Sequence, residues 1–218
     1  MTKLKIAILG IQGDIEENYN AVKASIKDLN TEGEVIRLKN IDALEDLDGL
    51  VIPGGESTVM GTLLSLQKMQ LQLLRNKIIK GLPVLGTCAG LILLASKAYD
   101  KNVGETNQHL LQLLDVTVER NAFGRQRESF ETYLDIPILG EELFRGVFIR
   151  GPIINNIGKN VQILTKFEEK IVAVRQDNII GTSFHPELAD DNRFHQVFLD
   201  ICIRYNKLKE IDGDNHKE

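Results

Sequence analysis

The sequence predicts an α/β protein of three layers, in which a mostly parallel central sheet is covered by helices on both faces. The first half alternates short apolar runs with longer segments of helical periodicity, which is the strand–helix order of a parallel sheet. The second half contains short runs that alternate polar and apolar residues, as half-exposed antiparallel strands do. Because no linker separates the two halves, we expect a single domain over residues 1–218.

Each element of the first half rests on a local pattern. Tyr19, Val22, Ile26 and Leu29 recur at helical spacing, and a Pro-Gly-Gly break after Ile52 ends a strand. Short apolar runs predict strands at 3–9, 34–38, 49–52 and 82–85. Longer patterned segments predict helices at 15–29, 57–79 and 89–98.

Shorter patterns continue through the second half of the chain. They predict strands at 115–119, 130–136, 147–150, 161–164, 170–175 and 179–184. A closing helix is expected over 192–208, because apolar residues form one stripe along it. We also expect a surface loop at 100–108 and a polar, disordered tail at 210–218.

Composition excludes several classes of function. The chain has 218 residues and a formal net charge of −5, so no basic surplus favours nucleic acid or an anionic membrane as a partner. No apolar run is long enough for a transmembrane helix, and the run at 6–9 is too short for a signal peptide. With two cysteines and no targeting signal, a cytoplasmic protein without a disulfide framework is expected.

The strongest chemical signal is Gly-Thr-Cys-Ala-Gly at 86–90, which follows a predicted strand and precedes a predicted helix. This is the context of a nucleophile elbow, in which glycines allow a tight turn that projects the thiol of Cys88. A helix N-terminus favours the reactive thiolate, and the backbone N–H of Ala89 is placed to stabilise an oxyanion. The alternative is a buried, inert cysteine between two packing glycines.

A thiol nucleophile needs a base, and His185 is the histidine best placed to provide one. It ends a predicted strand and begins His-Pro-Glu at 185–187, where residues i and i+2 face the same side, so Glu187 can orient the imidazole. Taken alone, this segment is also compatible with a solvent-facing turn. The other histidines and the second cysteine are expected in a loop, on a helix surface, in the tail and in the core: His109, His195, His216 and Cys202, respectively.

Three further features are candidates for substrate binding. The paired glycines of Pro-Gly-Gly-Glu-Ser at 53–57 let the backbone approach a ligand, although a strand-to-helix turn capped by Ser57 is equally compatible. Arg120 and Arg150 are each either a partner for the carboxylate of an amino-acid substrate or a solvated surface residue. No metal-ligand spacing or phosphate-binding loop is present, so no metal is expected.

Taken together, these segments resemble the class I, triad-type glutamine amidotransferases, and most of all the glutaminase subunits of pyridoxal 5′-phosphate synthase. The most specific matches are Arg-Asn-Ala-Phe-Gly-Arg-Gln at 120–126 and Phe-Ile-Arg at 148–150, which sister amidotransferases usually lack. The remaining matches run in family order over nearly the whole chain: Gly-Ile-Gln-Gly at 10–13, Pro-Gly-Gly-Glu-Ser-Thr at 53–58, Gly-Thr-Cys-Ala-Gly-Leu at 86–91 and Ser-Phe-His-Pro-Glu at 183–187.

The resemblance implies a flavodoxin-like amidotransferase fold and the hydrolysis of L-glutamine to L-glutamate and ammonia. Cys88 would attack the side-chain amide, His185 would deprotonate the thiol and then protonate the departing ammonia, and Glu187 would orient His185. The substrate and its oxyanion would be held by backbone and side-chain groups of Gly54, Gly55, Glu56, Ala89, Arg120, Ile149 and Arg150.

The resemblance also implies a partner. Ammonia would pass to a separate, barrel-shaped synthase subunit in a hetero-oligomeric complex, which makes pyridoxal 5′-phosphate from ribose 5-phosphate and glyceraldehyde 3-phosphate. Pyridoxal phosphate would then be a product of the complex, and this chain would need no cofactor. Gln12 lies in the loop that the family uses to complete the oxyanion site on docking, so we expect weak activity of the isolated chain.

Three other functions are weighed against this one. An amidotransferase subunit of another biosynthetic synthase is disfavoured by the block at 120–126, and a non-catalytic, partner-stabilising module by the intact triad. A cysteine peptidase is disfavoured by the two arginines, because a peptidase need not hold a free α-carboxylate. The chain departs from the family at Asn18, where many relatives have histidine, at Gly151, where alanine is usual, and in the long loop at 100–108.

Overall fold

The computed structural model of the chain describes residues 3–39, 44, 46–100, 103–123 and 129–214. Its helices, in chain order, are α1 (Ile15–Asp28), α2 (Ser57–Leu66), α3 (Lys68–Ile79), α4 (Ala89–Leu94) and α5 (Arg193–Asp214). The first seven strands are β1 (Leu4–Leu9), β2 (Gly33–Leu38), β3 (Gly49–Ile52), β4 (Val84–Thr87), β5 (Ala95–Asp100), β6 (Gly104–Glu105) and β7 (Leu114–Arg120). The others are β8 (Ser129–Leu134), β9 (Phe144–Ile149), β10 (Ile153–Ile157), β11 (Gln162–Phe167), β12 (Lys170–Gln176) and β13 (Ile179–Thr182).

The main sheet has a parallel half and a largely antiparallel half. Within the described residues its strand order is β2-β1-β3-β4-β13-β12-β10-β7-β5-β6, with β11 paired to β12. The first five of these strands are parallel to one another, whereas β12 is antiparallel to both β13 and β10, and β10 is antiparallel to β7. A separate hairpin pairs β8 with β9. This arrangement confirms the predicted α/β class with additional antiparallel strands in the second half.

Both faces of the parallel half are buried, which is why its strands are apolar throughout. Successive residues of β1 show the alternation, because Ile6 and Ile8 pack into one apolar cluster and Ala7 and Leu9 into the other. The first cluster includes residues of α1 and α5, and the second includes residues of α2, α3 and α4. The predicted three layers are therefore confirmed, and the carboxyl ends of β1, β3, β4 and β13 meet at one edge of the sheet.

Most of the predicted elements are present within three residues of their expected ends. The predicted helix at 57–79 is instead two helices, which meet at Gln67 with φ −106° and ψ 58°. No proline or glycine marks that break, so the sequence pattern gave no sign of it. The closing helix runs to Asp214, past its predicted end at 208, so residues 210–214 are helical rather than disordered. The last four residues of the predicted tail lie outside the described residues.

On the antiparallel side the structure differs from the sequence prediction at three places. The segment 89–98 is helical only to Leu94 and continues as β5, whose pairing with β7 overrides the helix propensity of its alanines. The strand β10 was not predicted, because its residues do not alternate in polarity and a bulge interrupts its register beside β7. In the expected loop at 100–108, Gly104–Glu105 forms the short strand β6. No helix among the described residues is long and apolar enough to cross a membrane.

Candidate active site

Cys88 lies on a strained turn between β4 and α4. Its backbone adopts φ 49° and ψ −101°, and its N–H donates to the carbonyl of Thr182 on the neighbouring strand β13 at 2.8 Å. A Cβ added at Gly90 would lie only 2.0 Å from the carbonyl oxygen of Ile52, so the close packing of the turn on β3 requires glycine there. The elbow predicted from the sequence is thus the local conformation, and Cys88 is 7% exposed.

His185 follows β13 and is held from both sides. Its backbone N–H donates to the carbonyl of Val147 on β9 at 2.8 Å, and its side chain is 3% exposed. Pro186 begins a single 3₁₀ turn that brings Glu187 back beneath the imidazole, where Glu187 Oε1 lies 2.9 Å from His185 Nδ1. The side chain of Glu187 is fully buried. The predicted His-x-Glu pair is therefore an interior contact and not a solvent-facing turn.

A second carboxylate reaches the same nitrogen. Asp14 Oδ2, from the loop between β1 and α1, lies 3.2 Å from His185 Nδ1. Ionised carboxylates only accept hydrogen bonds, so Nδ1 is the donor and carries a proton. One atom of each of Asp14, His185 and Glu187 that could ligate a metal lies within 4.8 Å of the other two. A metal ion would have to displace the proton on Nδ1, because a ligating imidazole nitrogen is deprotonated. We therefore interpret the three groups as a hydrogen-bonded set.

These contacts change the protonation of the imidazole. Burial lowers the pKa of His185, but the interactions of its ring with Asp14, Cys88 and Glu187, together with the charge of Glu187, outweigh it and raise the pKa to about 12. At neutral pH the ring is then an imidazolium beside the sulfur of Cys88. Because Nδ1 is engaged, Nε2 is the nitrogen left for proton exchange, and this buried atom has no other partner among the described residues.

A polar wall stands on the other side of the cleft. Glu56, and not Ser57, caps α2, since its carboxylate accepts two backbone N–H groups of the first turn. The same carboxylate pairs with Arg120 at 3.3 Å. Arg120 also donates to the side-chain oxygens of Gln108 at 2.8 Å and Thr58 at 3.1 Å. A guanidinium held by three fixed partners is suited to bind a substrate carboxylate with its remaining N–H groups.

The charge of Glu56 is also stabilised. Burial would raise the pKa of this carboxyl, but backbone N–H groups of Thr58 and Val59, the hydroxyl of Thr58 and the charge of Arg120 together hold it below its usual value. Glu56 is therefore available as an anionic partner for the ammonium group of an amino acid.

The third wall is the end of β9. Phe148 is fully buried, stacks on Phe130 at 4.7 Å and meets Phe123 edge-on at 5.3 Å. This aromatic packing fixes the next two residues at the mouth of the cleft. The carbonyl of Ile149 lies 3.8 Å from the Cys88 sulfur, and Arg150 holds a left-handed φ of 47°.

The structure brings most of the predicted site residues together around one cleft of about 410 Å³. Predicted residues that line it are Gly55, Glu56, Cys88, Arg120, Ile149, Arg150 and His185. Three others lie directly behind these residues. Glu187 contacts His185, and Ala89 is the first residue of α4. The side-chain oxygen of Gln12 accepts a hydrogen bond from the Glu56 N–H at 2.9 Å. A Cβ on Gly54 would lie 2.4 Å from the imidazole, so Gly54 packs against His185. Residues 124–126 of the family-specific block lie outside the described residues.

Sequence reasoning missed two residues and misplaced a third. Asp14 and Gln108 reach the site from loops, and no motif marks them. His195 was expected at the surface but is fully buried in α5, with both ring nitrogens unpaired within the part of the chain that the structure describes. Burial lowers its pKa to about 4. Cys202 is buried in the core as predicted, and burial, with a smaller effect of the Asp48 charge, raises the pKa of its thiol.

Fold and site together define a glutamine amidotransferase. A solved structure of a glutamine amidotransferase superposes with a TM-score of 0.78 at 38% sequence identity, covering 90% of this chain and 98% of its own. Residues 8–204 match the SNO glutamine amidotransferase family, and the chain belongs to that family. The resemblance recognised in the sequence is confirmed at this level.

Two relatives share the name pyridoxal 5′-phosphate synthase subunit PdxT. The one from Nitrosopumilus maritimus is 49% identical over 197 residues, which cover 90% of this chain and 96% of the relative. The one from Archaeoglobus fulgidus is 47% identical over 198 residues, which cover 91% of this chain and 98% of the relative.

Proposed function

We propose that this chain hydrolyses L-glutamine to L-glutamate and ammonia, with Cys88 as nucleophile, His185 as acid and base and Glu187 as its orienting group. The observation that carries the proposal is the strained cysteine elbow facing the same cleft as a buried imidazole, whose Nδ1 lies 2.9 Å from a buried carboxylate. This is the arrangement that an activated thiol nucleophile requires.

The first half of the reaction forms a thioester. His185 takes the proton of the Cys88 thiol on Nε2, and the resulting thiolate adds to the amide carbon of the glutamine side chain. The backbone N–H of Ala89 and the segment of Gly54 and Gly55 face the oxyanion that results. When the intermediate collapses, the carbon–nitrogen bond breaks and the nitrogen takes the proton from Nε2 of His185. Ammonia leaves, and the acyl group remains on sulfur.

The second half restores the enzyme. Nε2 of His185, now neutral, takes a proton from water as the water oxygen adds to the thioester carbon. The carbon–sulfur bond then breaks, glutamate leaves and the thiolate–imidazolium pair is restored. Throughout, the opposite wall recognises the amino-acid end of the substrate, with Arg120 and Arg150 on the α-carboxylate and Glu56 on the α-ammonium group.

The ammonia goes to a partner in this proposal. We infer that this chain supplies ammonia to a barrel-shaped synthase subunit in a hetero-oligomeric complex. The relatives are named as subunits of pyridoxal 5′-phosphate synthase, which supports assembly with another subunit. Gln12, which bonds to the Glu56 N–H beside Gly55, is the residue through which docking would act on the oxyanion site. We also place the protein in the cytoplasm, since free thiols, as at Cys88 and Cys202, are usual in a reducing compartment.

The test is glutamate release from L-glutamine by the purified chain, with and without the synthase subunit. We expect release that the partner stimulates and that Cys88→Ala abolishes. Cys202→Ala is the matched control, because it removes the other buried thiol, which does not line the cleft, and should leave the activity in place. Release that ignores the partner would favour another amidotransferase or a free-standing hydrolase. No release under either condition would favour a non-catalytic module.

A further inference from the structure

Asp14 is placed as a helix cap but does not cap its helix. Aspartate at the N-cap position ordinarily accepts a hydrogen bond from the first turn. Here Asp14 occupies the N-cap of α1 with φ −79° and ψ 56°, and its side chain makes no capping bond. Its carboxylate is instead directed at the imidazole, with Oδ2 at 3.2 Å from His185 Nδ1. Asp14 therefore contacts His185 across the site instead of capping α1.

The backbone of Asp14 is fixed on both sides. Its N–H donates to the carbonyl of Gly54 at 3.1 Å, and its carbonyl accepts from the side chain of the buried Asn18 at 2.8 Å. A Cβ at Gly54 would come within 2.6 Å of the Asp14 carboxylate and 2.4 Å of the His185 ring. The contact between Asp14 and His185 therefore exists because glycine stands between them. Asn18, a departure from the family pattern, supports the same position.

We propose that Asp14 is a positioning residue that holds the imidazolium form of His185 through Nδ1, together with Glu187, and so connects the loop carrying Gln12 to the proton donor of the reaction. This inference rests on the proposed function. Asp14 and Gln12 are two residues apart on one short loop, and both are bonded to the segment 54–56. Any displacement of this loop by a partner changes the oxyanion side and the imidazole side together.

The consequence for catalysis follows from the charges around His185. Two carboxylates stabilise the imidazolium that protonates ammonia, yet the same ring must be neutral to accept a proton from water. Moving Asp14 away removes one of the two negative charges and favours the neutral ring. Among the described residues, the other titratable or charged groups on the imidazole or in its cleft are Cys88, Glu187, Glu56, Arg120 and Arg150.

The direct test is the titration of the His185 ring by NMR in the full chain with isotope-labelled histidine, the signal being assigned by its loss in His185→Gln. Asp14→Asn should lower the midpoint by about one unit or more, the usual effect of one neighbouring charge. Asp14→Glu keeps the charge and should shift it far less. Glu17→Gln is the matched control, because it removes the same charge from the first turn of the same helix. An unchanged midpoint in Asp14→Asn, or an equal shift in Glu17→Gln, would overturn the proposal.

The kinetic readout uses the complex with the synthase subunit. The acid limb of the pH profile of kcat should move to lower pH in Asp14→Asn, because the neutral ring that activates water then persists to lower pH. KM for glutamine should stay within about twofold, because Asp14 faces the imidazole and not the arginine wall. An unmoved limb, or a loss confined to KM, would contradict the assignment. If the midpoint shifts as expected but the wild-type complex releases no glutamate, the role of Asp14 is supported and the proposed function is contradicted.

Discussion

At the scale of single residues, the nucleophile is held in a conformation that cysteine disfavours. The φ of 49° and ψ of −101° at Cys88 lie near the strained γ-turn region, which costs a residue with a side chain about 1–3 kcal/mol. These angles are the mirror image of an ordinary extended conformation, so glycine adopts them without that cost. The surrounding packing enforces the turn, because the backbone of Cys88 is bonded to β13 and Gly90 is pressed on β3.

Replacing the nucleophile should therefore separate strain from chemistry. We expect Cys88→Gly to be more stable than Cys88→Ala by about 1–2 kcal/mol in urea unfolding, because only the alanine variant keeps the strain. Both variants should lack glutaminase activity. Ala24→Gly in the interior of α1 is the matched control and should lose about 1 kcal/mol, the normal cost of glycine in a helix. Equal stability of the two Cys88 variants would mean that the turn relaxes when the thiol is removed.

Which site residues the sequence could reveal depended on how local their signal is. Cys88 with its glycines, and His185 with Glu187, are each encoded within five residues, and the structure places them as these motifs predict. Asp14 and Gln108 contact residues that are distant in the sequence, so no local sequence motif predicts their place in the site. His195 looked like a surface residue because polarity argues for exposure, whereas it is fully buried in α5.

At the scale of elements, the site depends on how closely α4 approaches the sheet. The sequence predicted the strand β4 and the start of α4 correctly, since a tight turn with flanking glycines separates them. It could not predict where α4 ends, because Ala95 and Lys97 favour a helix locally while pairing with Leu114 and Thr117 of β7 makes them strand. Sheet pairing between distant segments therefore decided the element where propensity alone was misleading.

The approach of α4 to β3 gives a sharp prediction at Gly90. In Gly90→Ala the new methyl group would meet the backbone oxygen of Ile52 at 2.0 Å, and neither backbone can give way without moving the elbow. We expect a loss of at least about 3 kcal/mol in urea unfolding, the range of severe core overpacking. Gly33→Ala is the control, because its methyl group meets chiefly the flexible end of Ile26 at 3.1 Å. Similar losses in the two variants would show that the close contact is not what makes Gly90 necessary.

At the scale of the whole molecule, the two histidines that are buried within the described residues have pKa values shifted in opposite directions. His185 is surrounded by acceptors and has its pKa raised to about 12, whereas His195 lies in an apolar part of α5 and has its pKa lowered to about 4. The unfolded chain binds a proton at each near the ordinary value of 6.5. Folding therefore takes up a proton at His185 above that pH and releases one from His195 below it.

The two effects predict a maximum of stability near pH 6.5, as far as these histidines determine it. Above that pH the unfolded chain binds fewer protons at His185 than the folded protein, so the free energy of unfolding falls as pH rises toward 12. Below it the unfolded chain binds more protons at His195, so stability falls as pH drops toward 4, by about 3 kcal/mol over that window. Urea unfolding measured across this range should show both slopes.

His195→Leu isolates the acid side of this curve. This variant replaces an imidazole that stays neutral in the folded protein by an apolar side chain. The fall in the free energy of unfolding between pH 6.5 and 4 should therefore be smaller by about 3 kcal/mol. The alkaline slope should stay unchanged, because it is caused by His185. His109→Gln, at an exposed position, is the control and should leave both slopes in place. If His195→Leu keeps the full acid decline, carboxylates and not the buried histidine govern acid unfolding. If His195→Leu also flattens the alkaline slope, the two histidines are energetically coupled through α5 and the segment that follows β13. The contribution of His185 to stability then depends on the packing of α5.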